Sequence, residues 1–379
     1  MPRLLTLTLA LVLLAPVALA DEPSFNGRPL SGWLTMLKED PTARKRRAAV
    51  VALGQIAGMD KTEFGNAIGA VGRALRDDAD PAVRRQAAAV LGQQPVEDST
   101  IVLGDLTTAV RLEKDPTVRR EVAVTLGRFG KLAKQAVPAL TGALADKDAG
   151  VQTAAADALG RVGADAAPAA PELLKLVASA DAGVKRAATF ALGRVEPADK
   201  PPVAAALVGV LKSAGDNGLR REAITAIGLL GEAECEVVPA LAGQLKDKAA
   251  EMRLLTLDSV GKIGPAARRL EPQLTELFRT DPDPAVRRVS LRTLVKGLGT
   301  DAKQLVPAMA ERLAADTDFE VRAAIAQEFG SLGVDGEAAI PALRKAQRDP
   351  QVRVREAAVA AIKQIDRAKK SLSIEPKKS

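Results

Sequence analysis

From Asp115 to Arg128 the chain reads "DPTVRREVAVTLGR", with apolar Val118, Val122 and Leu126 every fourth residue and charged residues between them. That spacing places the apolar side chains along one face of a helix. The pattern recurs as "DPAVRRQAAAVLGQ" from Asp80 and "DPAVRRVSLRTLVK" from Asp283, and in the same register as Val184, Ala188 and Leu192. Each copy predicts a helix that begins with Asp as N-cap and, where present, Pro at the first helical position. Asp148, Asp181, Asp216 and Asp318 are expected to cap without the Pro. Each such helix is expected to close on "L-G", with Gly at 54, 92, 127, 160, 193, 228, 261 and 330. A second pattern precedes it, as in "AVPALTGAL", "VVPALAGQL" and "AIPALRKA". It predicts a helix with Pro138, Pro239 or Pro341 in its first turn, where the missing N–H costs nothing.

The basic residue of "VRR" marks the period. Its equivalents are Arg46, Arg84, Arg119, Gln152, Lys185, Arg220, Arg253, Arg287, Arg322 and Arg355, at steps of 33 to 38 residues. Ten two-helix units therefore fill residues 29–368, which leaves no room for a separate domain and predicts an all-α solenoid. Four departures stand out. Ala249 replaces the capping Asp of the seventh unit, and Val295 the closing Gly of the eighth. Asp40 and Asp349 sit two residues further from their Arg than other caps do. Trp33, in the opening helix, is expected to lid the end of the array.

Composition narrows the chemistry. The 379 residues include one Trp, seven Phe, no Tyr, no His and one Cys. Histidine-dependent catalysis, His-ligated metals and internal disulfides are excluded, and Cys235 reads as a lone connector thiol. No cofactor is implied. Residues 1–20 read as a signal peptide: "MPR", the apolar "LLTLTLALVLLAPV", then "ALA" before Asp21. Residues 21–28 form a lead-in, and the basic segment 369–379 is expected to be disordered. The mature protein is thus expected in the periplasm or outside the cell, as a monomer without a transmembrane segment.

The combination P-x-L…D-P-x-V-R-x-x-A-x-x-A-L-G-x-x-G resembles HEAT repeats, in the short form of the phycobilisome-lyase-type HEAT-like family. The resemblance covers essentially the whole mature chain. It implies a right-handed α-solenoid whose second helices line a concave groove, with the marker Arg serving an Asp-Arg ladder between units. Its enzymatic relatives are tested by residues. The iron-binding hydroxylases of this fold need His-Glu pairs, which a chain without His cannot supply.

The residue after the marker, and those four and eight further on, point away from the apolar face. The first position holds Arg47, Arg85, Arg120, Arg186, Arg221 and Arg288. The last holds Arg128, Arg161, Arg194, Lys262 and Lys296, and the middle one adds Arg292 beside Asp258. These twelve cations are the candidate contacts to a protein or other anionic partner; a solvated face partly offset by Glu121 and Glu222 is the alternative. The address argues against nucleic acid. A non-enzymatic scaffold of the bacterial envelope is the expectation, and the alternative is a ligand-binding or lyase-type enzyme related to bilin lyases, with a pocket in the same groove.

Overall fold

The computed structural model describes residues 22–95, 101–231, 237–297, 299 and 301–374. The signal segment and Cys235 lie outside the described residues. The chain divides into two compact units at Asp105. The first opens with a two-stranded antiparallel hairpin, β1 (Ser24–Phe25) and β2 (Arg28–Pro29). Helices α1 (Leu30–Glu39), α2 (Ala43–Met59), α3 (Phe64–Asp77) and α4 (Pro81–Leu91) follow. Trp33 ties the hairpin to α1: its indole N–H donates to the Phe25 carbonyl at 3.1 Å, and the Arg28 guanidinium lies 4.9 Å from its ring centre.

Helix α5 (Leu103–Leu112) straddles the division, and the second unit continues as helix pairs. These are α6 (Pro116–Phe129), α7 (Val137–Ala143), α8 (Ala149–Val162), α9 (Ala170–Leu176), α10 (Ala182–Leu192), α11 (Lys200–Ser213) and α12 (Asn217–Leu230). Then come α13 (Val237–Gln244), α14 (Ala250–Ile263), α15 (Glu271–Thr280), α16 (Pro284–Arg292), α17 (Ala302–Ala315), α18 (Phe319–Ser331), α19 (Ile340–Ala346) and α20 (Val352–Ile374). Odd-numbered helices are the first of each repeat and even-numbered ones the second. Within each unit the even helices pack on one another in chain order, as an α-solenoid requires. The final helix runs through Ile374, so residues 369–374, expected to be disordered, are helical; Lys369 holds that turn through an ion pair with Glu337 at 2.5 Å.

The predicted caps form. Asp80, Asp115, Asp148, Asp181, Asp216, Asp283 and Asp318 each accept a backbone N–H from the first turn of the helix they precede. Ala249 makes no such bond. The helix-closing glycines differ from expectation. Gly92 and Gly193 do stand at helix ends, but Gly54, Gly127, Gly160, Gly228, Gly261 and Gly330 lie inside their helices. Where a second helix runs two residues past this Gly, the stop is a later glycine with positive φ, such as Gly130 (50°) or Gly163 (80°).

The reason for the "L-G" glycine is contact with the next repeat. A Cβ on Gly193 would lie 2.5 Å from the Ala226 Cα, and one on Gly228 2.7 Å from the Ser259 Cα. Successive second helices therefore touch backbone to backbone, and the buried residues between them are mostly Ala, Val and Leu. In the eighth repeat, where Val295 replaces the closing Gly, a π-helical turn over Thr293–Gly297 follows α16, and Gly297 lies against Gly261 of the preceding repeat.

A ladder of arginines joins the repeats. The Arg253 Nε and Nη2 donate to both carboxylate oxygens of Asp281 at 2.7 Å. Its Nη1 donates to the carbonyl of Asp247 at 2.8 Å. Arg287 repeats this with Asp316 and the Asp281 carbonyl, and Arg322 with Asp349 and the Asp316 carbonyl. Arg46 with Asp78, and Arg119 with Asp146, make the same two-pronged contact. Each of these Asp side chains also accepts the N–H of the residue two further on, which in most repeats is the N-cap. Asp349 is a ladder residue, and Asp40 holds the corresponding position at the start of the array, where it accepts the Thr42 N–H and pairs with Lys45 of α2; the end units lack the cap instead. The ladder is absent where both partners are replaced, Gln152 with Ser179 and Lys185 with Ala214. No ladder carboxylate is left there without its arginine.

Two consequences are measurable. Gly193→Ala should lower stability by about 1–3 kcal/mol through overpacking, whereas Gly209→Ala, which meets open space on an exposed helix face, should raise it by about 0.5–1 kcal/mol. Thermal melts of the two variants should move in opposite directions. Arg287→Met leaves buried Asp316 without its main partner and should cost about 3–5 kcal/mol; Arg288→Ala, one residue on and exposed, should cost no more than about 1 kcal/mol.

The ladder also sets the response to acid. Hydrogen bonds from Arg220 and Arg322 hold Asp247 and Asp349 below the usual carboxylate range. For Asp78, Asp146 and Asp316, burial pushes the other way, but the arginine bonds, the following backbone N–H and nearby positive charge together outweigh it. Lowered folded values mean a contribution fully present above the unfolded pKa of about 3.9 and lost as pH falls through the folded one. Melting temperature followed against pH should drop steeply below about pH 4, and less steeply in an Asp146→Asn variant.

Candidate functional site

In the first unit, Arg47 and Arg85 are exposed on α2 and α4 and form no ion pair among the described residues. The second unit carries the other ten cations of the stripe, and all but half-buried Arg194 are exposed. Folding sorts them into two groups. Toward the C-terminus most are neutralised by carboxylates. Arg194 meets Glu222 at 3.2 Å, Arg221 Glu251 at 2.6 Å, Arg288 Glu320 at 3.8 Å and Lys296 Glu328 at 3.1 Å, each from the next repeat. Lys262 meets Asp258 on its own helix at 2.7 Å. Arg120, Arg128, Arg161, Arg186 and Arg292 form no ion pair among the described residues. The expected offset by Glu222 is thus realised at Arg194, while Glu251, Glu320 and Glu328 were invisible to an inspection of single helices.

A shallow crevice of about 350 Å³ is lined by Arg120, Val124, Gly150, Thr153, Asp157 and Asp181 among others. Of the four cations on α6, α8 and α10, Arg120 lines it directly, while Arg161 and Arg186 lie near enough to Asp157 to act on its carboxyl. Sequence reasoning passed over this crevice. Its signal is the change from D-P-x-V to D-A-G-V at Asp148 and Asp181. Gly150 lets the Arg120 side chain lie on the backbone of α8: a Cβ there would come within 3.3 Å of the Arg120 Cδ. Asp157 is half-buried and makes no hydrogen bond among the described residues. Burial pushes its carboxyl above the ordinary range, with Glu222 adding to the rise; Arg161 and Arg186 pull the other way without cancelling it.

Two larger openings lie on the ladder side. One, of about 590 Å³ in the first unit, is lined by Leu34, Leu37, Arg46, Ala70, Asp78 and neighbours. The other, of about 860 Å³ in the second, is lined by Val110, Arg119, Pro138, Asp146 and neighbours. Their charged walls include Arg46 with Asp78, and Arg119 with Asp146, already bound to each other. Among the described residues no group of His, Cys, Asp and Glu could hold a metal, and no helix is long and apolar enough to cross a membrane.

A raised carboxyl has the opposite acid behaviour from the ladder. Ionised Asp157 costs stability at neutral pH, and that cost disappears as pH falls from its raised folded pKa toward the ordinary value. Asp157→Asn should therefore melt at a higher temperature than wild type at pH 7, with the difference shrinking by pH 4.

Comparison with known proteins agrees with this architecture. A sequence model described as HEAT repeats matches residues 30–110, 105–193, 203–295 and 271–363. No curated protein matches the chain. A crystal structure of an engineered protein is similar at 19% identity, covering 89% of this chain and 98% of that one, with a TM-score of 0.59. A second engineered protein is 20% identical over 51% of this chain and 96% of its own, with a TM-score of 0.43. The first likeness shows the fold alone. With the family match spanning nearly all of the helical array, the chain belongs to the HEAT-repeat proteins.

Proposed function

We propose that this protein is a non-enzymatic scaffold of the bacterial envelope that holds a protein partner against the layer of second helices. The observation that carries this is the exposed row Arg120, Arg128, Arg161 and Arg186, which form no ion pair among the described residues, whereas five of the six stripe cations from Arg194 onward do. Arginine near a helix N-terminus opposes the macrodipole, so Arg120 and Arg186 are kept at a cost that binding would justify. Interfaces favour Arg, whose planar fork grips carboxylates. The envelope address rests on the charged start, apolar stretch and "ALA" boundary of the first 20 residues. The absence of His from the whole sequence supports a binding role over hydrolysis by the usual acid-base devices.

Two measurements test this. N-terminal sequencing of protein from the native host should return Asp21 from a non-cytoplasmic fraction; Met1 or Pro2 from a soluble cytoplasmic fraction would remove the envelope assignment. Replacing Arg85, Arg120, Arg186 and Arg221 with Glu should abolish capture of the partner by the tagged protein, while helical content stays unchanged. Negative charge near a helix N-terminus is favoured by about 0.3–1 kcal/mol, so loss of capture would not reflect unfolding. Undiminished capture at low salt would mean the stripe is only solvated surface.

A further inference from the structure

We infer that the partner contributes an acidic, extended peptide segment that lies across α6, α8 and α10, over the crevice around Thr153. This rests on the binding role proposed for the second-helix face, and it narrows that role to three adjacent repeats.

Charge complementarity selects the place. From Arg194 onward, five stripe cations already have carboxylates within ion-pair distance, so an acidic partner there would have to displace an internal pair. On α6 to α10 it would not. Arg120 and Arg128 stand eight residues apart on one helix, about 12 Å along its axis. Arg161 and Arg186 mark the opposite ends of the next two helices. A chain crossing these helices therefore passes between a row of cations on each side.

The crevice floor selects the chemistry. Thr153, in the crevice lining, donates its hydroxyl to the Ala149 carbonyl at 2.8 Å, which leaves the oxygen lone pairs to accept. Asp157 offers carboxylate oxygens that make no hydrogen bond among the described residues. Acceptors flanked by guanidinium groups suit a ligand that carries both N–H donors and carboxylates, which is what an acidic peptide presents. A nucleic-acid strand fits poorly. Its sugar-phosphate backbone carries no N–H donor for the Thr153 and Asp157 acceptors in the crevice. Its bases would find no free ring to stack on, because Phe129 is buried and Phe190 lies under the Arg194 guanidinium, 3.7 Å from the ring centre. Exposed Val124 on α6 adds apolar contact for a side chain of the peptide.

The test uses the whole mature chain and a fluorescein-labelled twelve-residue peptide of alternating Glu and Gly, read by anisotropy at low salt. One variant replaces Arg120, Arg128, Arg161 and Arg186 with Gln; the other replaces Arg221, Lys262, Arg288 and Lys296 with Gln. Both remove the same net charge, so only location differs between them. Circular dichroism checks that both retain the wild-type helical content. The first variant should lose affinity by about tenfold or more, as loss of four exposed charge contacts implies, and the second should stay within about threefold. Equal losses in the two variants would overturn the localisation while leaving a basic binding face intact. No binding by wild type, or no loss in either variant, would remove the binding-face proposal as well. Tighter binding of a twelve-nucleotide oligothymidylate, lost in the first variant, would overturn the peptide in favour of a nucleic acid.

Discussion

Arg253 serves two repeats with one guanidinium: two N–H groups grip the Asp281 carboxylate ahead of it, and a third grips the Asp247 carbonyl of its own repeat. Much of the second unit depends on this unit of construction. The same Asp side chains accept the N–H at or beside the next N-cap, so a single acid fixes a helix start, a loop and a neighbour together. Burial makes the arrangement strict. Arg287 and Asp316 are 5% and 3% exposed, and a charge so placed needs its partner in the right geometry or it is a large net cost. The ladder therefore sets the register of one repeat on the next more than it adds raw stability. At its gap the carboxylate disappears together with the guanidinium: where the Arg becomes Gln152 or Lys185, the Asp becomes Ser179 or Ala214.

Close approach of the second helices is the other half of the design. Backbone contact at Gly193 and Gly228 leaves no room for large side chains between these helices, which explains why Ala, Val and Leu dominate the core and aromatic residues are scarce. Rings that are not exposed are few on second helices: Phe129, Phe329 and Phe190, the last lying against Gly160 of the helix before it. Phe278 sits on a first helix, and Trp33 is spent on holding the terminal hairpin. A core of small contacts tolerates little change in volume, so a single methyl at a contact glycine is a serious disturbance, while one on an outer helix is not.

The candidate binding face arises from the same stacking. Neighbouring repeats bring Glu251 to Arg221, Glu320 to Arg288 and Glu328 to Lys296, and so erase much of a basic stripe that looks uniform along the chain. What survives in the second unit is concentrated on α6, α8 and α10, beside the stretch where the ladder is interrupted and where D-A-G-V replaces D-P-x-V. Three independent departures from the repeat thus coincide in one place, where Asp157 keeps a carboxyl with no hydrogen bond among the described residues.

What the sequence determined was whatever closes within a few residues. The Asp caps at 80, 115, 148, 181, 216, 283 and 318 reach only two or three positions along the chain, and the apolar faces repeat every turn, so ten helix pairs and their period were legible without coordinates. Asp349 could be mistaken for a displaced cap because the ladder it belongs to links residues far apart in sequence, here Arg322 and Asp349. The "L-G" glycines looked like helix stops for the same reason: the atoms that exclude a Cβ at Gly228 belong to Ser259 of the following repeat. Which cations keep their charge available was likewise a tertiary decision. Side chains some thirty residues apart in sequence meet only when their helices stack, and no pattern along one helix records which arginine will find a glutamate there.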